Sequence, residues 1–422
     1  MTTIKSNDGG LAFPARIGEP EQKTLRAGFI PLMDASVLLA AAEIGFAARE
    51  GLSLDLVRDV SWANVRDRLA FRQFDIAHML SPMPVASALG LGSNPSPTMT
   101  PFSLGRGGNA ITLSVRVFER MQQVSGITDH SGALENARAL AAVIAGRRAS
   151  GEAQLTLGMT YPFSSHNYEF RYWLAAGGID PDLDVKLVVV PPPMTSDALA
   201  AGVIDGFCVG APWNMIASER GVGRIVAAKQ DIWPSAPEKV IGIRPDWAER
   251  NSDTVRRLIV ALDAAACWCD QVENRTQLAE LLSQDRYIAA PVDIIRQVLE
   301  GEFSLDAKGT KRVVKDYFLF HRQAANEPSA RQALWIYSQM VRWGQTTLSP
   351  GSAKAAASAF RSDIYREALG LAAAPDDLSP AGMAPDDAFM DGMIFDPTDI
   401  KGYVEGFAVR SHHAALRASD EA

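Results

Sequence analysis

The sequence predicts an α/β protein of two lobes that close on a small ligand, and three observations carry that expectation. Two segments 130 positions apart match: Leu69, Asp75 and Pro82 in VRDRLAFRQFDIAHMLSPMP recur as Leu199, Asp205 and Pro212 in MTSDALAAGVIDGFCVGAPWN. Each reads as a helix, an Asp, a short apolar strand and a Pro-containing turn at the strand's carboxyl end. Strand and helix patterns alternate along the first half of the chain, the order that builds parallel sheets with right-handed crossovers. Finally, 422 residues exceed one average domain, and 47% hydrophobic with 21% charged residues is ordinary globular composition. Ligands of open α/β sheets bind beyond the carboxyl ends of the strands, so two such units make a clamp.

The elements follow in order. Residues 1–24 are polar and Gly/Pro-containing, a loose lead-in. LRAGFIPL (25–32) reads as a strand, ASVLLAAAEIGFAAREG (35–51) as a helix closed by Gly51, and LSLDLVRD (52–59) as the next strand. A helix from about Ala63 leads to strand IAHML and completes a β-α-β-α-β unit. From Ile111 the same alternation returns: strand LTLGMTYP, helix HNYEFRYWLAAGGID closed at Gly177-Gly178, strand DVKLVVV, a helix through LAAGVI and strand GFCVG. Beyond Arg224 the chain turns helical, in TVRRLIVALDAAACWCDQV, RTQLAELLSQD, DIIRQVLEGEF, RQALWIYSQMVRWG and SDIYREALG, helices expected to cover the first lobe. The expected organisation is therefore lobe I from 25–110 and 225–370, lobe II from 111–224, and an extended segment over 371–422. Its Pro/Asp-rich stretch 374–391 cannot form a core of its own.

The balance of 41 basic against 49 acidic residues, a formal charge of −8, argues against direct nucleic-acid binding. The amino terminus has no apolar run of secretion-signal length and no stretch approaches a membrane span, so a cytoplasmic protein without membrane attachment is expected. Three cysteines give no disulfide framework. Cys267 and Cys269 are two apart on a helical pattern and point to different sides, which speaks for packing rather than metal ligation; Cys208 reads as core.

Nucleophile-elbow, Walker, dinucleotide and zinc patterns are missing from the chain, which lowers the expectation of an enzyme. LGRGGNA (104–110) lacks GxGxxG spacing and reads as a hinge between lobes. Five residues stand where an anion site wants donors, at strand ends and helix starts. Trp62 follows Ser61 at a helix start and offers one N–H; His166, in PFSSHNYEF, sits at another helix start. Gly210 ends the second repeated strand and permits close backbone approach. Lys239, in WPSAPEKVIGIR, supplies a point charge before an apolar strand, and Asn109 an amide. Each has a plainer reading: a packed Trp, a solvated His or Lys, a tight turn, a turn cap. His78, inside IAHML, reads as a satisfied core histidine.

At these residues the chain resembles the nitrate- and bicarbonate-binding substrate-binding proteins of ABC transporters. The resemblance rests on VSWANVRDRLA, DIAHMLSPMP, GGNAITLS, FRYWLAAGGIDPD, VVPPPMTSDALAAGVIDGFCVGAPWN and APEKVIGIR, with FHRQAANEP, ALWIYSQMVRWG and SDIYREA later, and spans about residues 25–408. It implies a two-lobe periplasmic-binding-protein-like (type II) fold with the ligand in the interlobe cleft. The family's Trp, Gln, His, Gly and Lys fall on Trp62, Asn109, His166, Gly210 and Lys239, with Asn109 in place of the Gln. Ala211 and Asn167 replace acidic residues, so a calcium-assisted bicarbonate site is disfavoured and a metal-free, cofactor-free site for nitrate or nitrite is expected.

Combined with the expected cytoplasmic location, the resemblance implies the nitrate/nitrite sensor branch. Its partner would be an ANTAR-type RNA-binding antiterminator protein of nitrate-assimilation genes, released when the anion binds. The alternatives are a substrate-binding protein of a nitrate or bicarbonate transporter, and an enzyme of the pyrimidine-synthase type. The enzyme would need a reactive His with a Cys-rich loop, and neither is evident.

Overall fold

The computed structural model describes residues 18–234, 237–372 and 388–411. Along the chain the strands are β1 (Thr24–Phe29), β2 (Ser53–Arg58), β3 (Ile76–Leu80), β4 (Met99–Ser103), β5 (Arg106–Gly107), β6 (Asn109–Ser114), β7 (Thr156–Met159), β8 (Lys186–Val189), β9 (Gly206–Gly210), β10 (Gly223–Ala228) and β11 (Lys239–Ile243). They form two five-stranded sheets in the orders β2-β1-β3-β11-β4 and β10-β6-β9-β7-β8. The repeat is visible in the pairing. β1 is parallel to both β2 and β3, and β3 then meets antiparallel β11. β7 is likewise parallel to both β8 and β9, and β9 then meets antiparallel β6.

Each lobe thus takes its antiparallel strand directly after the chain crosses over: β6 on the way out, β11 on the way back. The second sheet takes in all of β10, to Ala228, so the return to the first sheet follows that strand. β12 (Glu302–Ser304) and β13 (Lys311–Val313) form a hairpin, and β14 (Phe318–Leu319) pairs with β5 beside the crossing.

Where the expected elements differ, glycines account for most of it. The helix read over 35–51 is a short turn at Met33–Ala35, a helix Ser36–Glu43 and a second helix Phe46–Arg49, because Gly45 takes φ +86° and breaks the run. The stretch LAAGVI belongs to a helix Thr195–Ala200 and a turn whose Gly202 has φ +70°. DIIRQVLEGEF is helical only to Glu300; Gly301, at φ +73°, turns the chain into β12.

The late helices divide between two cores. Ser252–Asp270, Arg275–Ser283 and Val292–Glu300 pack with β1 and helix Ser36–Glu43. Ala330–Arg342 supplies Ala333, Trp335, Ile336 and Met340 to the second core, with Leu140, Phe170 and Trp173 of lobe II. The C-terminal stretch 388–411 joins that same core through Phe389, Phe395, Tyr403 and Phe407; residues 373–387 and 412–422 of the expected extended segment lie outside the described residues.

A third apolar cluster joins the lobes. From lobe I it takes Ile30, Leu32, Trp62, Leu69 and Phe74, and from lobe II Leu199, Ile204, Phe207, Val209 and Trp213. Leu69 and Leu199, the repeated pair of the sequence, both belong to it. The repeat therefore encodes the seam as well as each lobe.

Candidate functional site

Local sequence fixes the candidate residues one at a time. Ser61 caps the helix Trp62–Ala70 by accepting from Asn64 N, which sets Trp62 in its first turn. Ser164 does the same for Ser165–Ala176 by accepting from Asn167 N at 3.0 Å, and this places His166 in the first turn there. Asn109 begins β6 and lies opposite Gly210 at the end of β9; Lys239 begins β11 opposite Leu80 at the end of β3. All five are therefore at the ends of strands or the starts of helices.

They meet through carboxylates that composition did not single out. Lys239 Nζ lies 2.7 Å from Asp34 Oδ2 and also pairs with Glu238 Oε1. Asp34 Oδ1 is 2.9 Å from His78 Nε2, and His78 Nδ1 accepts from Ile30 N at 3.3 Å. Glu238 Oε2 accepts from Lys229 Nζ at 2.6 Å, and Lys229 Nζ is 3.1 Å from Glu169 Oε1. Asn109 Nδ2 donates to Glu169 Oε2 at 3.0 Å and to Glu238. Ser165 Oγ donates to Glu238 Oε1 at 3.2 Å, and His166 Nε2 stands 3.9 Å from that same oxygen. Asp34 and His78 with Lys239 come from lobe I; Asn109, Glu169, His166 and Lys229 come from lobe II. A Cβ on Gly210 would sit 3.3 Å from Asp34 Oδ2, so the glycine is what lets the lobe I loop approach.

The electrostatics are those of a dry site. His166 is fully buried, and burial, with the charge of Lys239, lowers its pKa to about 3, so the ring is neutral. Its Nδ1 is 3.0 Å from Thr160 Oγ1. With the hydroxyl donating to Nδ1, Nε2 carries the proton and is left as a donor without a partner. Trp62 Nε1 is a second buried donor without one, and Ser81 Oγ, at the end of β3, a third polar atom so placed. Lys239 stays charged: burial disfavours the ammonium, but Asp34 and Glu238 raise its pKa above the ordinary value. Burial would raise Glu238 too, yet Lys229 and Lys239 hold it down to about 2; Glu169 is pushed up to about 7 by burial and by Glu238, against the opposing effects of Lys229 and the Asn109 hydrogen bond.

The structure thus brings Trp62, Asn109, His166, Gly210 and Lys239 to one place, with one change of role. The N–H donors of Asn109 are taken by Glu169 and Glu238, and Oδ1 is the atom left without a partner. Sequence reading missed Asp34, Glu169, Lys229 and Glu238. Glu238 stands next to Lys239 and Glu169 one turn after His166, spacings that could have pointed to them; Asp34 and Lys229 carry no local signal. His78 is buried, as read, with Nδ1 accepting from Ile30 N, while its Nε2 faces Asp34 Oδ1 at 2.9 Å and so ties the ring into this network. Cys208 is buried, Cys269 buried and Cys267 exposed. Among the described residues there is no cluster of three or more His, Cys, Asp or Glu side chains placed to hold a metal, and no helix is long and apolar enough to cross a membrane.

Comparison with known proteins agrees with this architecture. The nitrate import ATP-binding protein NrtC of Synechocystis is 34% identical over 92% of this chain, which spans 56% of that longer protein. The nitrate/nitrite binding protein NrtA of Synechococcus elongatus is 32% identical over 96% of this chain and 91% of its own length. The crystal structure of the periplasmic nitrate-binding protein NrtA from Synechocystis superposes with a TM-score of 0.83 at 27% identity, covering 93% of this chain and all of that one. The fold is the two-lobe periplasmic-binding-protein fold, each lobe a mixed sheet flanked by helices. With residues 18–283 matching the family model, the chain belongs to the NMT1-like family.

Proposed function

We propose that this chain is a nitrate- or nitrite-binding protein of the ABC-transporter type, holding the anion at the seam between its lobes. The observation that carries this reading is that two buried nitrogens without hydrogen-bond partners, Trp62 Nε1 and His166 Nε2, belong to residues around the charged Lys239: its ammonium lies 5.8 Å from the Trp62 ring centroid and pairs with Glu238, whose Oε1 is 3.9 Å from His166 Nε2. A planar monoanion offers oxygen acceptors to both N–H groups and charge to the ammonium, and such charge-assisted contacts in a dry site are strong. Donors from both lobes mean that binding and closure are one event.

The relatives with named roles are transport components, which favours a binding protein delivering to a membrane transporter over the cytoplasmic sensor with its antiterminator partner. Both readings use the same anion site. The deciding experiment is fractionation of cells producing the native gene product, together with nitrate uptake after its deletion. A protein outside the cytoplasmic membrane and lost uptake support the transporter role. A cytoplasmic protein with intact uptake and altered expression of nitrate-assimilation genes would move the assignment to the sensor. For the site itself, calorimetric titration with nitrate, nitrite, bicarbonate and sulfate is the test: tight binding of nitrate or nitrite without calcium supports it, and calcium-dependent bicarbonate binding removes it.

A further inference from the structure

We propose that the interlobe site takes up one proton together with each monoanion, and that the proton is carried by Glu169. This rests on the anion-binding reading above and specifies how the site balances charge. In the contact network, two ammonium groups, Lys229 and Lys239, face three carboxylates, Asp34, Glu169 and Glu238. All five residues are at most 4% exposed. His78 and His166 are also in the network; their pKa values are lowered, by burial first, so they add no charge near neutral pH. A monoanion entering beside Lys239 would leave two positive charges against four negative ones away from water. Uncompensated buried charge is costly, and a site that can neutralise itself by protonation does so.

Geometry selects Glu169 as the group that protonates. Asp34 is held by Lys239 and His78, and Glu238 receives Lys229 at 2.6 Å, Lys239, Ser165 and Asn109. Glu169 has less. Its Oε2 accepts from Asn109, and Oε1 has a single charged neighbour, Lys229 Nζ at 3.1 Å, an ammonium it shares with Glu238. The groups facing it come from several elements: Asn109 from β6, Cys208 from β9, Lys229 from the short helix Lys229–Ile232 after β10, Glu238 before β11 and Tyr317 beside β14. Arg342 of the neighbouring helix Ala330–Arg342 is stacked on Phe407 and Tyr172 instead. Cys208 and Tyr317 have pKa values pushed well up by burial and remain neutral. Burial and the neighbouring Glu238 carboxylate already raise the Glu169 pKa above the ordinary carboxylate range, so a further negative charge beside the network favours its acid form first. The balance is simple: solvent buffer gives up H⁺, a Glu169 oxygen gains it as O–H, and the proton returns to buffer when the anion leaves. A doubly charged anion would need a second proton, and the remaining carboxylates are held ionised by the lysines.

Nitrate is the right probe because it does not titrate near neutral pH. The full chain is titrated with nitrate at pH 6, 7, 8 and 9, in Tris and in HEPES at pH 8, buffers whose ionisation enthalpies differ. The expected result is close to one proton taken up per nitrate at pH 8, with affinity flat below pH 7 and falling up to tenfold per pH unit above it. Glu169→Gln, checked for a cooperative melt, should bind with proton uptake near zero and an affinity that no longer depends on pH over this range. Nitrate binding with no proton uptake at pH 8 and flat affinity from pH 7 to 9 overturns the proposal and leaves the anion site standing. No binding of nitrate or nitrite at any pH overturns the anion site and the proposal with it. If Glu169→Gln fails to fold, the proton count and pH profile of the parent chain decide alone.

Discussion

Lys239 Nζ and Asp34 Oδ2 lie 2.7 Å apart, and neither residue is more than 4% exposed. Lys239 thus has an internal counter-anion at the very group expected to hold the ligand. Glu238 still pairs with Lys239 when Asp34 is neutralised, so the loss is one of two counter-anions together with the partner of His78, a cost of about 1–3 kcal/mol. Asp34→Asn should therefore lower the melting temperature of the empty protein clearly, and added nitrate should restore more of it than it adds to the parent, because the anion replaces the lost charge. Equal nitrate-induced shifts in the two proteins, read by thermal melting, would show that Asp34 and the ligand do not share Lys239.

Trp62 allows the cleanest test of a single donor. Its indole packs edge-on against His78 with ring centroids 5.3 Å apart, and Nε1 is buried without a partner. Trp62→Phe keeps an aromatic ring and removes the N–H. A neutral donor to a charged acceptor contributes about 1.5–3 kcal/mol, so the nitrate dissociation constant should rise roughly tenfold to a hundredfold. An unchanged constant by calorimetry would take Trp62 out of the site.

How much of this was legible in the sequence depends on the reach of the signal. The repeat around Leu69 and Leu199 and the alternation of strands and helices gave the two lobes, because hydrophobic periodicity and Gly/Pro punctuation are local. That Trp62, Asn109, His166, Gly210 and Lys239 come together was legible because each sits at an element's end, marked by Ser61, Ser164 or a strand boundary, and because the family resemblance groups them. Asp34 and Lys229 were not, since their meaning comes from partners 205 and 9 positions away, Lys239 and Glu238. Nor could composition show that Asn109 would spend its N–H donors on Glu169 and Glu238. The C-terminal segment read as a tail because its Phe389 finds its core only in three dimensions.

That segment makes its own prediction. Phe389 stacks on Tyr172 and on Trp233, each with ring centroids 4.6 Å apart, and faces Trp335 at 5.7 Å. It is 3% exposed. Phe389→Ala would open a cavity among three aromatic rings and should cost about 3–5 kcal/mol of stability by denaturant unfolding, while nitrate affinity of the folded protein stays within a few-fold. A change below 1 kcal/mol would mean that the segment does not pack on lobe II in solution.

Acid should loosen the molecule through the same buried histidine. His166 has its pKa lowered to about 3, against an ordinary value of 6.5, so between these pH values the unfolded chain binds a proton that the folded site refuses. Stability is then lost as pH falls below 6.5. Glu238, held down to about 2, adds loss as pH falls below 4.5. Glu169 acts oppositely: raised to about 7, it holds a proton in the fold that the unfolded chain releases, so its contribution is present at low pH and lost between 4.5 and 7. Replacing His166 by Gln should therefore flatten the fall in melting temperature between pH 6.5 and 5, and an identical slope in parent and variant would contradict the neutral, buried ring.

The two lobes are also tied at the rim. Arg66 Nη1, on helix Trp62–Ala70 of lobe I, donates to Tyr161 Oη of lobe II at 2.7 Å, and Asp67 holds Arg66 Nε at 2.8 Å. The hydroxyl and guanidinium are partly buried, so the bond is worth about 1 kcal/mol in the closed form and nothing when the lobes part. A ligand that binds between lobes is released only when they part, so weakening the closed form should appear in the dissociation rate. Tyr161→Phe keeps the ring contact with Phe163 and removes only the hydroxyl. The expected result is a nitrate dissociation rate raised about five-fold with the association rate nearly unchanged, measured by stopped-flow tryptophan fluorescence. An equal change in both rates would mean that Arg66 and Tyr161 separate before the anion is committed, and that the seam formed by Leu69, Leu199 and Trp213 holds the lobes together by itself.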